Sequence, residues 1–112
     1  MVDTITAFFH GLQQPIMLWL LSRRPRYGYE LIKQFRRLTG EKLKSSTVYS
    51  FLHWLEKEGF AVSKCVEKGN RKTKYYSLTN KGKKLLRKVQ DFFKKSIQEV
   101  IFDLVRKTET SS

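Results

Sequence analysis

Apolar and polar positions follow two rhythms along this chain: a helical one up to residue 59 and again after 79, and a two-residue one between them. Phe8, Phe9 and Leu12 follow Asp3 and Thr4, either of which suits the cap of a short first helix. Pro15 fits the first turn of a second helix, where its missing N–H is no loss. The stretch PIMLWLLS is apolar all round, which places that helix in a core or against a partner chain. In RRPRYG, Pro25 disfavours helix at Arg24, and Gly28 permits a tight turn. Leu31, Ile32, Phe35 and Leu38 then recur at helical spacing, with Lys33, Arg36 and Arg37 facing out and Gly40 ending the helix. Ser45 or Ser46 caps the next one, in which Val48, Leu52 and Leu55 form an apolar stripe beside Phe51, up to Gly59.

From there the period is two. Phe60, Val62 and Val66 share one face of FAVSKCV, and Tyr76 and Leu78 share one face of TKYYSL. The charged stretch EKGNRK, with Gly69 and Asn70 at its centre, joins the two into a hairpin with a basic tip. Thr79 caps a last long helix, and the tail TETSS is too polar and small to order itself. Three helices followed by a hairpin is the order of a winged helix-turn-helix. The expected fold is therefore mainly α within the α+β class, with a two-stranded β wing: residues 1–78 form the winged domain, 79–107 a long dimerisation helix and 108–112 a disordered tail.

Composition narrows the function. The chain has 112 residues, enough for one compact domain. Its 23 Lys and Arg against 10 Asp and Glu give a net charge of +13, which predicts an anionic partner: nucleic acid, an acidic membrane surface or an acidic protein. The longest apolar run, 16–21, is far short of a membrane span, and residues 1–7 carry Asp3 and no basic start, unlike a secretory signal. The lone Cys65 excludes an internal disulfide and suits a reducing, cytoplasmic setting; it reads as a small strand residue. With two histidines and one cysteine there is no metal-ligand cluster, and no carboxylate pair, triad or phosphate loop suggests an enzyme or a cofactor. Glu30, Glu56 and Glu58 read as surface or helix-end charges.

The helix at about 45–58 opens with hydroxyls where the rest of the surface carries lysine. Short polar side chains let a helix backbone approach base edges in the major groove, and a helix N-terminus supplies N–H groups for a phosphate. Thr47, Ser50 and Trp54 are assigned to the groove side, and Ser46 and Tyr49 to phosphate contacts. Lys44 before the helix and Lys68, Arg71, Lys72 and Lys74 on the wing at 64–74 supply charge from the periphery, together with Lys42 and Lys64. Blander roles stand beside these: capping for Ser45 and Ser46, a solvated surface for His53, packing against the wing for Trp54 and a solvated turn for Lys68, Arg71 and Lys72.

The segments YGYELIKQF, SSTVYSFLHWLEKEGF and KYYSLTNKGKKLL resemble the signature segments of the PadR-like family of transcriptional regulators. The matching residues are Gly28, Tyr29, Glu30 and Leu31; Thr47 and Tyr49; Leu52, Leu55, Glu56 and Gly59; and Tyr75, Tyr76, Leu78 and Thr79. Many relatives carry proline and glycine just before that threonine, where this chain has Ser45 and Ser46. The single last helix is similar to the short branch of the family. The resemblance implies a DNA-binding repressor that works as a homodimer. The alternatives are a nonspecific architectural DNA binder and a winged-helix protein-interaction module.

The last helix has more apolar surface than a small domain can cover. Leu85, Val89, Phe92, Phe93, Ile97, Val100, Ile101 and Leu104 form its dimerisation stripe, and two recognition helices would then lie about 34 Å apart on a palindromic operator. Folding back onto its own domain is the alternative for this helix. The resemblance also implies that a flat aromatic effector can enter between subunits, where Phe8, Phe9, Trp19, Phe92 and Phe93 offer a lining; filling of the dimer core by the same rings is the favoured reading.

Overall fold

The computed structural model describes residues 11–110, with backbone alone at 97 and 101–110. Phe8 and Phe9, with the short helix expected around them, lie outside the described residues. Along the chain run α1 (Gln13–Arg23), α2 (Gly28–Thr39), α3 (Ser45–Lys57), β1 (Ala61–Lys68), β2 (Arg71–Leu78) and α4 (Asn80–Thr110). β1 and β2 pair antiparallel from Ala61↔Leu78 to Lys68↔Arg71, making the wing. Mainly helical with a two-stranded wing, the fold is the winged helix-turn-helix that the element order predicts.

Local chemistry ends each element where the chain must turn. Gly40 closes α2 at φ 78°, its N–H donating to the Arg36 carbonyl at 2.7 Å. Gly59 closes α3 at φ 80°; its N–H donates to Glu56 at 3.2 Å and that of Phe60 to Leu55 at 2.7 Å, a double bond pattern that needs a left-handed residue between. Thr79 caps α4 as expected, its hydroxyl oxygen accepting from the Gly82 N–H at 3.1 Å and its hydroxyl donating to the Gly59 carbonyl at 2.7 Å. α4 continues three residues past the expected end at 107, because no proline or glycine interrupts it.

The core joins all three short helices to the base of the wing. Met17, Leu20 and Leu21 of α1, Leu31 and Phe35 of α2, and Val48, Leu52 and Leu55 of α3 are buried with Tyr76 and Leu78. Burying each of the large aliphatic side chains stabilises the domain by roughly 1.5–3 kcal/mol. α4 contributes Leu86 to this cluster, with Leu85 and Val89 packed against it, and the remainder of the helix runs away from the body along a molecule 62 Å long.

One link was invisible in the periodicity. Arg26, in the connection between α1 and α2, pairs with Tyr76 through both backbone bonds, 2.9 and 2.8 Å, on the far edge of β2. Its guanidinium is buried and donates from Nε to the Leu20 carbonyl at 2.9 Å, satisfying one of the last acceptors of α1. Burial is the main cause of that guanidinium's lowered pKa.

Candidate nucleic-acid interface

α3 buries Val48, Phe51, Leu52 and Leu55, and the opposite side is exposed. Along the exposed side Ser46, Ser50, His53 and Lys57 succeed one another at steps of four, three and four, a straight outward ridge. Two of them, His53 and Lys57, stood outside the expected contact set; the same helical spacing that marks the apolar stripe marks them. Ser46, Thr47, Ser50 and Trp54 line one open groove of about 600 Å³, with Phe51 at its floor and Gln14 of α1 across from it. The structure thus brings four of the five expected residues of α3 together, and leaves Tyr49 outside this groove. Trp54 is half-exposed, its indole stacked on Phe51 at 6.1 Å and tilted against Phe60 at 5.5 Å, so it also packs at the root of the wing.

The start of α3 differs from the sequence expectation. Lys44 occupies the cap position in extended conformation, with no side-chain cap bond; Ser45 and Ser46 already lie in the first turn and are exposed. Because the helix begins one residue earlier than a serine cap requires, the serine hydroxyls point out from the turn instead of closing it. No acidic residue occupies that turn, and Lys44 stands before it.

Tyr49 is half-exposed and leans on α2. A methyl group at Gly28 would lie 2.6 Å from the ring carbon bearing the hydroxyl and 2.7 Å from the hydroxyl itself. Gly28 is therefore small for contact and not for a turn: its φ is not positive, contrary to the tight turn expected there. Gly28→Ala is expected to leave the fold intact, swing the Tyr49 ring outward and weaken duplex binding severalfold, about 1 kcal/mol. Fluorescence anisotropy titration against the wild type checks it.

Glu56 was expected to be a plain surface charge, yet it ties α3 to both strands. One carboxylate oxygen accepts from the Ser63 hydroxyl and the other from Lys74 Nζ at 3.4 Å. The Ser63 hydrogen bond, helped by Lys74, holds this carboxyl below the ordinary glutamate range. Lys74 is in turn pushed up, first by the adjoining Tyr76 and then by Glu56. Because the folded pKa of Glu56 is depressed, its contribution is complete above the unfolded value of about 4.3 and is lost as pH falls through the folded value. Hydrogen exchange at the hairpin amides, corrected for intrinsic rates, should accelerate below about pH 4 in the wild type, and Glu56→Gln should remove that step. Glu30 is held too: Arg24 donates to it at 2.8 Å.

On the wing Lys68, Arg71, Lys72 and Lys74 are exposed, flanking the Gly69–Asn70 turn or following it. Gly69 takes φ 64° at the first central position, where a type II′ hairpin turn places glycine. The face of β1 that carries Val62 and Val66 is the outer one: Val62 is 54% exposed, while Ala61 beside it is buried opposite Leu78. Cys65 is exposed on the strand.

On α4, Leu85 and Val89 are partly buried against the chain's own core, whereas Phe92 and Val100 are exposed. Phe93 meets Phe92 edge to face at 5.8 Å. Trp19, Leu38, Leu86, Val89 and Phe93 line an apolar groove of about 460 Å³ between α1 and α4. Phe92 belongs to the neighbouring groove, so the expected aromatic set is split; Phe8 and Phe9 lie outside the described residues. The side chains of Ile97, Ile101 and Leu104 lie outside them as well. Among the described residues no helix is long and apolar enough to cross a membrane, and no group of three His, Cys, Asp or Glu could hold a metal ion.

The model of the transcriptional regulator PadR-like family matches residues 17–88. No curated protein matches the chain. Among solved structures, a transcriptional regulator from Clostridium thermocellum is 27% identical with a TM-score of 0.72, covering 96% of this chain and 97% of its own. A PadR family transcription regulator from Clostridium difficile is 28% identical with a TM-score of 0.70, the match covering 84% of this chain and 98% of that one. Bacillus subtilis PadR in complex with operator DNA is 29% identical with a TM-score of 0.64; the match covers 69% of this chain and 45% of that longer protein.

Proposed function

This chain belongs to the PadR-like transcriptional regulator family, and from that membership we propose that it is a dimeric, sequence-specific DNA-binding repressor acting in the cytoplasm. Members of the family are transcriptional regulators and not enzymes. The observation that carries the reading is the arrangement of α3, whose Ser46, Thr47, Ser50 and Trp54 line one open groove beside an uncapped, acid-free helix start. Such a helix enters the major groove with short hydrogen-bonding side chains toward base edges, and Ser46, Tyr49 and Lys44 take backbone phosphates at its start. His53 and Lys57 extend the same ridge. The basic wing holds the backbone alongside. The operator DNA of the Bacillus subtilis relative supports the choice of duplex DNA as partner.

The exposed apolar positions of α4 support a dimer. Phe92 is 65% exposed and Val100 58%, on a helix that leaves its own domain behind, and a second copy covers them. Twofold symmetry then calls for a palindromic operator with half-sites about 34 Å apart. A flat aromatic effector is a second occupant for the groove between Trp19 and Phe93, which is apolar and about 460 Å³.

The test compares two duplexes at one salt concentration: DNA upstream of the protein's own gene and a random sequence of equal length. A specific repressor prefers the first by about a thousandfold or more. A ratio near one would leave a nonspecific architectural binder.

A further inference from the structure

Six of the chain's 23 Lys and Arg fall between positions 83 and 95, on α4: Lys83, Lys84, Arg87, Lys88, Lys94 and Lys95. The DNA-binding reading above uses none of them. All six are exposed, and Asp91 is the one acid in the stretch. None of these side chains has an ion pair among the described residues. Lys83 with Arg87, and Lys84 with Lys88, stand four residues apart, a spacing at which like charges destabilise a helix. Mixed signs would solvate an outward side without that repulsion. A side kept this basic suits an anion.

The cations lie opposite the apolar side of the helix. Leu85, Leu86 and Val89 turn to the core. Lys88 borders the hollow shared with Gln14 and Phe92, and Lys94 borders the groove of Trp19 and Leu38, so these two lysines mark the flanks of α4. Between the flanks, helical spacing sets a crest of Lys84, Arg87, Asp91 and Lys95 that is turned away from the domain. α4 packs on α1 and β2, whereas α3 packs on α2 and β1. A duplex seated on α3 leaves the crest open.

The make-up of the crest selects among anions. It carries no aromatic or aliphatic side chain, whereas protein interfaces are anchored by aromatic residues and are poor in lysine. A bilayer surface would need the apolar side of α4, part of which the domain's own core covers. Lysine ammonium groups are point charges that hold phosphate without reading sequence. From Lys84 to Lys95 the helix rises about 16 Å, the length of about five phosphates along one DNA strand.

We infer that the crest of α4 is a second duplex-binding surface, which holds the backbone of another DNA segment while α3 reads the operator. One dimer then bridges two duplexes. The inference rests on the DNA-binding reading above and adds an activity to it, the joining of separate DNA segments.

The experiment loads the full chain onto bead-bound operator duplex and offers a fluorescent duplex of random sequence across a salt series. The wild type should retain the second duplex at low salt. Each phosphate contact adds about 0.9 to the slope of log affinity on log salt. The triple variant Lys84→Gln, Arg87→Gln, Lys95→Gln should therefore flatten the slope for the second duplex by about 2–3 and lower its retention at least about tenfold. Its slope on the operator alone, read by anisotropy, should change by less than about 1. The charge-keeping variant Lys84→Arg, Lys95→Arg should retain the second duplex as the wild type does. All three positions are exposed, and circular dichroism with gel filtration checks that each variant keeps its fold and mass. Wild type that retains no second duplex, or a triple variant that retains it fully, overturns the inference and leaves the operator reading intact. A triple variant that flattens the operator slope by 2–3 places the crest on the same duplex and overturns it as well. Retention of polyglutamate in place of the second duplex, lost in the triple variant, assigns the crest to an acidic protein and also overturns it. A wild type that does not bind the operator duplex removes both readings.

Discussion

Replacing Gly82 with alanine is expected to lower the melting temperature by more than about 10 °C. A methyl group at this position would lie 2.0 Å from the Phe60 carbonyl oxygen, 3.0 Å from its carbon and 3.2 Å from the Leu78 side chain. Two of those neighbours are backbone and cannot turn aside. Relief requires the first turn of α4 to lift from Phe60, which strains the 3.0 Å bond from the Thr79 N–H to the Phe60 carbonyl and the 2.7 Å bond from the Thr79 hydroxyl to Gly59. The loss should be about 3 kcal/mol, the upper range for overpacking. At roughly 4–8 °C per kcal/mol for a domain of this size, that gives the stated shift. Thermal denaturation followed by circular dichroism measures it, with Lys83→Ala as a neighbouring control expected within about 2 °C of the wild type. A comparable result for Gly82→Ala would mean that α4 does not approach Phe60 this closely.

Replacing Phe92 and Val100 together with serine should convert the protein to monomers and weaken binding to its operator by about a thousandfold or more. Each exposed apolar side chain withdraws roughly 1.5–3 kcal/mol of burial from a dimer, and each is lost twice in a symmetric interface. The domain itself should keep its melting behaviour as a monomer, because its core ends at Leu86 with Leu85 and Val89 alongside. Operator affinity falls because one winged domain on a half-site forfeits the second half-site, whose effective concentration is high in the dimer. Sedimentation equilibrium gives the mass and anisotropy the affinity. A variant that stays dimeric would locate the interface elsewhere, and a monomer that binds as tightly as the wild type would remove the twofold operator.

Elements with their own period were legible before the structure. The stripes of α2 and α3, the stops at Gly40 and Gly59, the cap at Thr79 and the hairpin all follow from residues close in sequence. What sequence could not supply was contact through space. Gly28 looks like a turn residue until the Tyr49 ring is seen beside it. Arg26 pairs with Tyr76 over a stretch too short to have a rhythm. Alternation showed that Val62 and Val66 share a face with each other but not that the face is the outer one, because the inner face is marked by the small Ala61. The cap fell at Lys44, since capping depends on the path into the helix as well as on the available hydroxyls. For the candidate interface, residue type selected Ser46, Thr47, Ser50 and Trp54, while His53 and Lys57 emerged from position on the helix.

The Arg26 bridge has a consequence for solubility. By occupying the far side of β2 at Tyr76, it shortens the open flank of that strand, whereas the far side of β1 has no bridge among the described residues. Unpaired strand flanks invite tape-like stacking between molecules, and lysines are a common deterrent. Lys64 and Lys68 stand on β1, so neutralising them should make concentrated protein prone to fibrillar association even where its fold is unaffected.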